Sequence, residues 1–193
     1  MKKTAVLIYN QFCMFEISTA LEALALGGKP ITVFAKTADL VTSEEGLSVL
    51  PHQSIRDAEL EEYDSLLLPG AADIREAVED ADILAFIRDF SDAGKLIGAI
   101  SIAPILLVKC GAMGARPFMA GINREELAEE GFSAEDLAHM HSWNDNLKSP
   151  VPEGYIIADH IITSVSYEFA RFGVAFAHLL GIDISGRTFG IKE

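Results

Sequence analysis

A serine stands where a predicted buried strand meets a predicted helix, and small residues flank it. The apolar run Leu96–Ile100 leads into Ser101, and Pro104–Cys110 has helical character. Ala99 and Ala103 lie two positions before and after the serine. A strand that turns sharply into a helix needs small residues there, because the two elements nearly touch. The pattern predicts a nucleophile elbow, with strained backbone torsions at Ser101.

The chemistry of this elbow depends on what surrounds the hydroxyl. A serine hydroxyl is a poor nucleophile unless a general base stands beside it. The short pattern Ala-x-Ser-x-Ala also fits a serine that only caps the following helix. Both interpretations, a reactive Ser101 and a capping Ser101, stay open on the residues alone.

Histidines and cysteines elsewhere offer further chemistry. His139 and His141 would point to one face if they lay on a strand, and Asp145 could complete a metal-ligand set with them. We favour instead a polar loop with surface histidines, and we expect no metal and no cofactor. Cys13 and Cys110 lie outside any Cys-x-x-Cys pair, which argues against a disulfide framework or a structural zinc site. We expect both to be buried, with Cys13 lining the crevice near Ser101 as the alternative.

Composition excludes several partners. The 193 residues carry a formal net charge of −14, which disfavours binding to nucleic acid and to anionic membranes. The apolar run after Met1 is too short for a signal peptide, and no run approaches the roughly 18 residues that span a bilayer. We expect one cytoplasmic domain, residues 1–193, with a small-molecule ligand or substrate. A transcription regulator would need an appended DNA-binding domain, for which we expect no room.

Short apolar runs alternate with helical patterns along the chain. This alternation predicts a doubly wound α/β fold, with a mostly parallel sheet and helices on both faces. Ligands bind at the carboxyl ends of the strands in such sheets, which directs attention to Asn10–Glu16, Pro69–Asp73 and Ser101–Pro104. The predicted strands are Ala5–Tyr9, Ile31–Ala35, Leu47–Leu50, Ser65–Leu68, Leu96–Ile100, Tyr155–Ala158 and Ile161–Ser164. The predicted helices are Phe15–Leu26, Ile83–Phe90, Pro104–Cys110 and Tyr167–Leu180.

Three segments resemble, in order, motifs of the ThiJ/PfpI family, which belongs to the class I glutamine amidotransferase-like fold. Glu62–Ala71 resembles the family's YDALVLPGG segment, and Gly94–Pro104 resembles its GKPVAAICAGP elbow. Asp159–Ser164 and the later Phe169-Ala170 resemble its DGNIITS…FA ending. The resemblance covers nearly the whole chain and implies a flavodoxin-like sheet. It also implies a homodimer, since members of this family are commonly dimers.

The resemblance also implies roles for five positions. The family's elbow cysteine falls on Ser101. Its acidic residue, which hydrogen-bonds the nucleophile and tunes its reactivity, falls on Glu16. The backbone amides that hold an oxyanion fall on Ala71 and Ile102, with Gly70 beside them in the substrate-binding segment. Ala71 replaces the family's usual second glycine.

The family's histidine is not kept at either of its common placements. These fall on Ile102, directly after the nucleophile, and near Gly121. Two functions remain open. The first is a hydrolase or lyase that acts on small amide or carbonyl compounds through Ser101 and Glu16. The second is a non-catalytic member, a small-molecule-binding or stress-related protein that keeps the fold and the crevice.

Overall fold

The computed structural model describes residues 1–192, which form an α/β structure around one large sheet. Seven strands of this part of the chain form the sheet, in the order β10-β11-β7-β6-β1-β2-β5. Every neighbouring pair is parallel except β10 and β11. The fold predicted from the alternation of strands and helices is therefore confirmed. The strands are β1 (Lys3–Leu7), β2 (Ile31–Ala35), β3 (Val41–Thr42), β4 (Ser48–Val49), β5 (Gln53–Ser54), β6 (Tyr63–Leu68), β7 (Leu96–Ile100), β8 (Phe118–Met119), β9 (Met140–His141), β10 (Tyr155–Ala158) and β11 (Ile161–Ser164).

Helices cover both faces of the sheet. They are α1 (Met14–Leu26), α2 (Arg75–Glu79), α3 (Ala81–Asp92), α4 (Pro104–Lys109), α5 (Arg124–Glu129), α6 (Trp143–Lys148) and α7 (Phe169–Leu179). Helices α1 and α7 pack together on one face, and α2, α3 and α4 pack together on the other. No helix within residues 1–192 is both long and apolar enough to cross a membrane.

Glycines allow α7 to lie close to its neighbours. A Cβ atom on Gly98 of β7 would stand 2.7 Å from the ring of Phe176, so α7 sits directly on that strand. A Cβ atom on Gly173 would stand 2.5 Å from the backbone nitrogen of Ala20 in α1. The opposite face is aromatic, since Phe86 and Phe90 of α3 pack at ring-centroid distances of 5.4 and 6.2 Å from Phe34 and Tyr63 respectively.

The predicted elements lie close to those observed, and the differences have local causes. The last helix begins at Phe169 rather than at Tyr167, because a 3-10 turn at Ser166–Glu168 precedes it. The first strand ends at Leu7, although the N–H of Ile8 still donates to Phe34 at 2.8 Å. Short elements were missed, among them α2, α5, α6 and the pair β8–β9, because two to six residues are too few to show a period.

The strand order decides where a site can lie. Strands β6 and β7 are neighbours, and β1 lies on the other side of β6. Their carboxyl ends therefore meet at one edge of the sheet, where the three segments 10–16, 69–73 and 101–104 come together.

Candidate active site

Ser101 has the backbone of a nucleophile elbow. It follows β7 directly, and its φ of 63° lies in the left-handed region, which is costly for a residue with a Cβ atom. Its N–H donates to the carbonyl of Ser164 at 2.9 Å, which holds the turn against β11. The N-cap of α4 is Ala103, and no side chain caps that helix end. The hydroxyl of Ser101 is therefore directed elsewhere than to the helix that follows it.

Glu16 is the ionisable group beside this hydroxyl. It lies in the first turn of α1, and only 2% of its surface is exposed. One carboxylate oxygen, Oε2, accepts a hydrogen bond from the N–H of Gly70 at 2.8 Å. The side chain of Ser101 lies beside the same carboxyl group, since a Cβ atom on Gly70 would stand 2.4 Å from Oε2 of Glu16 and 2.9 Å from Oγ of Ser101. The structure thus brings together residues from the ends of β1, β6 and β7.

The buried setting changes the acidity of Glu16. Burial raises the pKa of this carboxyl to about 7, against hydrogen bonds from Ser101 and Gly70 that lower it. The nearby carboxylates of Glu44 and Glu45 add a smaller increase to the same pKa. A carboxyl group with such a pKa is present in both protonation states near neutral pH, which suits a group that accepts and returns a proton.

Two glycines enclose the Ser101 side chain. A Cβ atom on Gly70 would stand 2.4 Å from Oε2 of Glu16 and 2.7 Å from Cβ of Ser101. A Cβ atom on Gly121 would stand 3.0 Å from Cα and 3.1 Å from Oγ of Ser101, and the N–H of Gly121 donates to the Ser101 carbonyl at 2.6 Å. An imidazole at position 121 would therefore crowd the elbow as it is built here.

We expect Gly70→Ala to damage both stability and the site. The added methyl group would overlap Glu16 and Ser101, and overpacking of this kind lowers the free energy of unfolding by about 1–3 kcal/mol. Urea denaturation measures the change. Gly186→Ala is the matched control, since its Cβ atom would meet only the Ile191 side chain, at 3.2 Å. Equal unfolding free energies for the two variants would show that the space around Gly70 is not tight.

The two backbone amides expected to hold an oxyanion differ from their neighbours. The N–H of Gly70 is taken by Glu16, and that of Ala72 donates to Gln11 at 3.0 Å. Within residues 1–192, neither the N–H of Ala71 nor that of Ile102 donates to a protein acceptor. Of the three backbone groups predicted to contact substrate, Ala71 and Ile102 therefore have a free donor, whereas Gly70 positions Glu16.

Cys13 lies near the site but is held as a thiol. It is buried, its S–H donates to Oε2 of Glu44 at 2.8 Å, and its N–H donates to the Gly70 carbonyl at 2.8 Å. Burial, followed by the hydrogen bond to Glu44, raises the pKa of Cys13 well above its usual value. Such a thiol does not ionise near neutral pH, so Cys13 is not a substitute nucleophile. Cys110 is buried at the end of α4, and burial raises its pKa too.

The histidine pair does not form a metal site. His139 is exposed, and only His141 lies on β9, with its Nε2 atom buried and without a hydrogen-bond partner. Asp145 is committed to a capping box with Ser142 and to an ion pair with Arg124. Residues 1–192 contain no group of three or more His, Cys, Asp or Glu side chains that could hold a metal ion.

The sequence did not predict the acidic hairpin beside the site. Strands β3 and β4 enclose a turn whose Glu44 and Glu45 approach the start of α1. Glu45 accepts from the N–H of Phe15 at 3.1 Å, and so satisfies one of the free donors at that helix end. In the sequence, Ser43-Glu44-Glu45-Gly46 has only the character of an exposed turn. Nothing local in it indicates a contact with residues thirty positions earlier.

The sequence of this chain matches that of a known protein family. The sequence model of the DJ-1/PfpI family matches residues 2–174 of this chain. The chain belongs to the DJ-1/PfpI family. The ThiJ/PfpI resemblance found in three segments of the sequence is thereby confirmed.

Relatives with named activities are moderately similar to this DJ-1/PfpI chain. The protein/nucleic acid deglycase 2 of Escherichia coli is 34% identical over 121 residues, which are 62% of this chain and 70% of that protein. The glutathione-independent glyoxalase DJR-1.2 of Caenorhabditis elegans is 23% identical over 159 residues, which are 80% of this chain and 77% of that protein.

Solved structures share the fold. The DJ-1 superfamily protein Atu0886 of Agrobacterium tumefaciens superposes with a TM-score of 0.79 at 19% identity, covering 98% of this chain and 95% of that one. Drosophila melanogaster DJ-1beta superposes with a TM-score of 0.76 at 20% identity, covering 97% and 95%. At these identities the likeness concerns the fold alone.

Proposed function

We propose that the protein is a hydrolase or lyase that acts on small amide or carbonyl compounds through Ser101. The observation that carries this proposal is the close approach of Ser101, held in a strained elbow, to the buried carboxyl of Glu16. A nucleophile beside a base with a suitable pKa is the minimum that covalent catalysis by serine requires.

The proposed reaction on an amide uses the groups described above. The hydroxyl of Ser101 gives its proton to the carboxylate of Glu16 as Oγ bonds to the carbonyl carbon, and the electrons of the C=O bond move to oxygen. The N–H groups of Ala71 and Ile102 hold the resulting oxyanion. The C–N bond then breaks, and the amine leaves with the proton from Glu16. Water then bonds to the acyl carbon as Glu16 takes one of its protons. The bond between this carbon and Oγ breaks, and Glu16 returns the proton to Oγ, which restores Ser101 and releases the carboxylic acid.

The relatives support the choice of substrates for a test. One is named a glyoxalase, which supports α-oxoaldehydes in the panel, and the other is named a protein/nucleic acid deglycase. The experiment measures turnover of small amides, esters, isocyanides and α-oxoaldehydes by the wild-type protein and by Ser101→Ala. Equal rates for the two proteins on every substrate would exclude catalysis through Ser101. The homodimer and the cytoplasmic location expected from sequence stay predictions.

A second candidate is a non-catalytic protein that binds a small molecule. The tight contact between Gly121 and Ser101 favours it, because that contact leaves no space for the histidine found in relatives with a cysteine elbow. On this hypothesis the crevice still binds a ligand, and the serine prevents the reaction.

The variant Ser101→Cys separates these candidates. We expect peroxide to oxidise the new thiol to a sulfinate, because the group would lie beside the carboxyl of Glu16, which can donate a hydrogen bond to it when protonated. Intact-mass and peptide mass spectrometry measure the added oxygens. The wild-type protein is the matched control, since Cys13 and Cys110 are buried with raised pKa values.

The substrate panel then decides what the serine does. A variant that is oxidised at position 101 and turns over substrates which the wild type does not would favour the non-catalytic candidate. A variant that is oxidised at position 101 but gains no substrate agrees with an active serine. A thiol at position 101 that resists oxidation would contradict the proposed polar surroundings of this side chain.

A further inference from the structure

A cavity of about 450 Å³ adjoins the elbow on the side of α2, α4 and α5. Its floor is apolar and consists of side chains from three helices, from the residue before α2 and from the loop after α5: Ile74, Val78, Ile105, Leu127 and Phe132. Four of these five side chains are buried, and Phe132 is half-buried. The volume lies within the range that small-molecule sites commonly have. We call this cavity the aliphatic pocket.

The residues that line the aliphatic pocket include the chain neighbours of the Ser101 site. Three segments converge on Ser101 and its hydrogen-bonding neighbours, through Ser101 itself, the Gly70-Ala71 step and Gly121. In each segment the next residue lines the pocket: Ile102, Ala72 and Ile122. A substrate whose carbonyl carbon lies at Ser101 therefore has one apolar space directly beside it.

The charged residues at the rim are engaged with one another. Nε of Arg75 donates to Asp73 at 2.9 Å, and Glu79 pairs with Lys109 at 3.1 Å. Glu130 is close enough to raise the pKa of Arg75 further. A ligand carboxylate would face three rim carboxylates and only an arginine that is already paired. The rim therefore disfavours anionic ligands, and the apolar floor disfavours charged ones in general.

We propose that the aliphatic pocket binds the hydrocarbon part of the substrate, so that the protein selects neutral amides or esters with an aliphatic acyl chain of about four to six carbons. This inference rests on the proposed function of Ser101, because it assigns the acyl side of that same reaction. The occupant is a small molecule and not a second copy of the chain, since the pocket opens beside free N–H donors that a substrate carbonyl can use.

Chain-length preference tests the proposal. With p-nitrophenyl esters of acetate, butanoate and hexanoate, we expect kcat/KM to rise at least about tenfold from acetate to hexanoate, because each methylene enters an apolar space. Val78→Phe fills the pocket and should remove this preference, because it lowers kcat/KM most for the hexanoate ester. The control is Val174→Phe on α7, a valine that is 7% exposed where Val78 is 6% exposed. It should keep the preference.

A second variant guards against misfolding of the first. Phe132→Ala enlarges the pocket at a half-buried position and should move the preference toward the octanoate ester. If wild type and both variants show the same dependence on chain length, the inference is wrong even where Ser101 is essential for turnover.

Ligand binding to the Ser101→Ala variant tests the pocket separately from the reaction. By calorimetry, we expect hexanamide to bind at least about tenfold more tightly than acetamide and more tightly than hexanoate or hexylammonium, with Val78→Phe abolishing the difference. If the ligands bind in this order but the wild-type protein turns over no substrate, the proposed function is rejected and the pocket is kept. Tight binding of hexanoate or hexylammonium would overturn the inference. It would also be overturned if Val78→Phe changed the molecular mass of the protein measured by light scattering and left hexanamide binding unchanged.

Discussion

On any substrate that the wild-type protein turns over, Ser101→Ala is expected to lower kcat/KM by about 10³-fold or more. The variant removes the Oγ atom proposed to bond to the carbonyl carbon, while the unpaired N–H groups of Ala71 and Ile102 remain available to a substrate oxygen. Oxyanion donors and binding alone retain a modest acceleration over water, so the residual rate should be small but measurable. Steady-state kinetics on the best substrate of the panel measures the loss.

The control for this experiment is Ser18→Ala, which changes an exposed serine. Ser18 lies on α1, and its hydroxyl donates only to the Phe15 carbonyl of its own helix at 2.6 Å. Its removal should leave kcat/KM within about twofold of wild type. A Ser101→Ala variant that matches Ser18→Ala would mean that Ser101 makes no covalent bond to substrate.

Glu16→Gln is expected to lower activity by about 10²–10⁴-fold and to remove its dependence on pH near 7. In the wild type, Glu16 must be ionised to accept the Ser101 proton. Its pKa of about 7 therefore predicts a rate that rises about tenfold per pH unit below 7 and levels off above it. Glutamine can still accept from the N–H of Gly70 but cannot take up a proton. A pH–rate profile from pH 5 to 9 for both proteins checks this.

The same substitution is expected to change how stability depends on pH. Burial raises the pKa of Glu16 from 4.5 in the unfolded chain to about 7 in the folded protein, so the folded state holds this proton more tightly. The stability that Glu16 contributes is fully present below pH 4.5 and is lost as pH rises through 7. The loss amounts to about 3 kcal/mol, at 1.4 kcal/mol per pKa unit.

Glu16→Gln has no such proton, so its unfolding free energy relative to wild type should improve by about 3 kcal/mol between pH 4.5 and pH 8. Urea denaturation at both pH values gives the difference, in which all other titrating groups cancel. Glu22→Gln is the control, because Glu22 lies on the same helix and is exposed. A constant difference between wild type and Glu16→Gln at the two pH values would show that the Glu16 pKa is not raised.

The two measurements on Glu16→Gln together separate a catalytic carboxyl from a structural one. If Glu16 only supports the elbow, the Glu16→Gln substitution changes how stability depends on pH but leaves the shape of the pH–rate profile as in wild type. A Glu16 that moves protons changes both. Both effects are expected from a single side chain, because one buried carboxyl group accepts from the N–H of Gly70 and lies beside Ser101.

The sequence by itself determined the architecture and the position of the elbow. Buried parallel strands are continuous apolar runs, and this local property is visible in segments such as Ser65–Leu68 and Leu96–Ile100. The small residues Ala99 and Ala103 likewise record a local steric need. The position of Glu16 was found only through the family resemblance, because a lone acidic residue in a first helical turn has no signal of its own.

The tertiary structure alone decided how the site is arranged. The contact of Gly121 with Ser101 and the approach of Glu44 to Cys13 join residues twenty and thirty-one positions apart. Which groups meet is set there by the strand order and by the path of loops, not by any pattern in a window of residues. The raised pKa of Glu16 depends in the same way on burial by several elements at once, so it follows from packing in three dimensions.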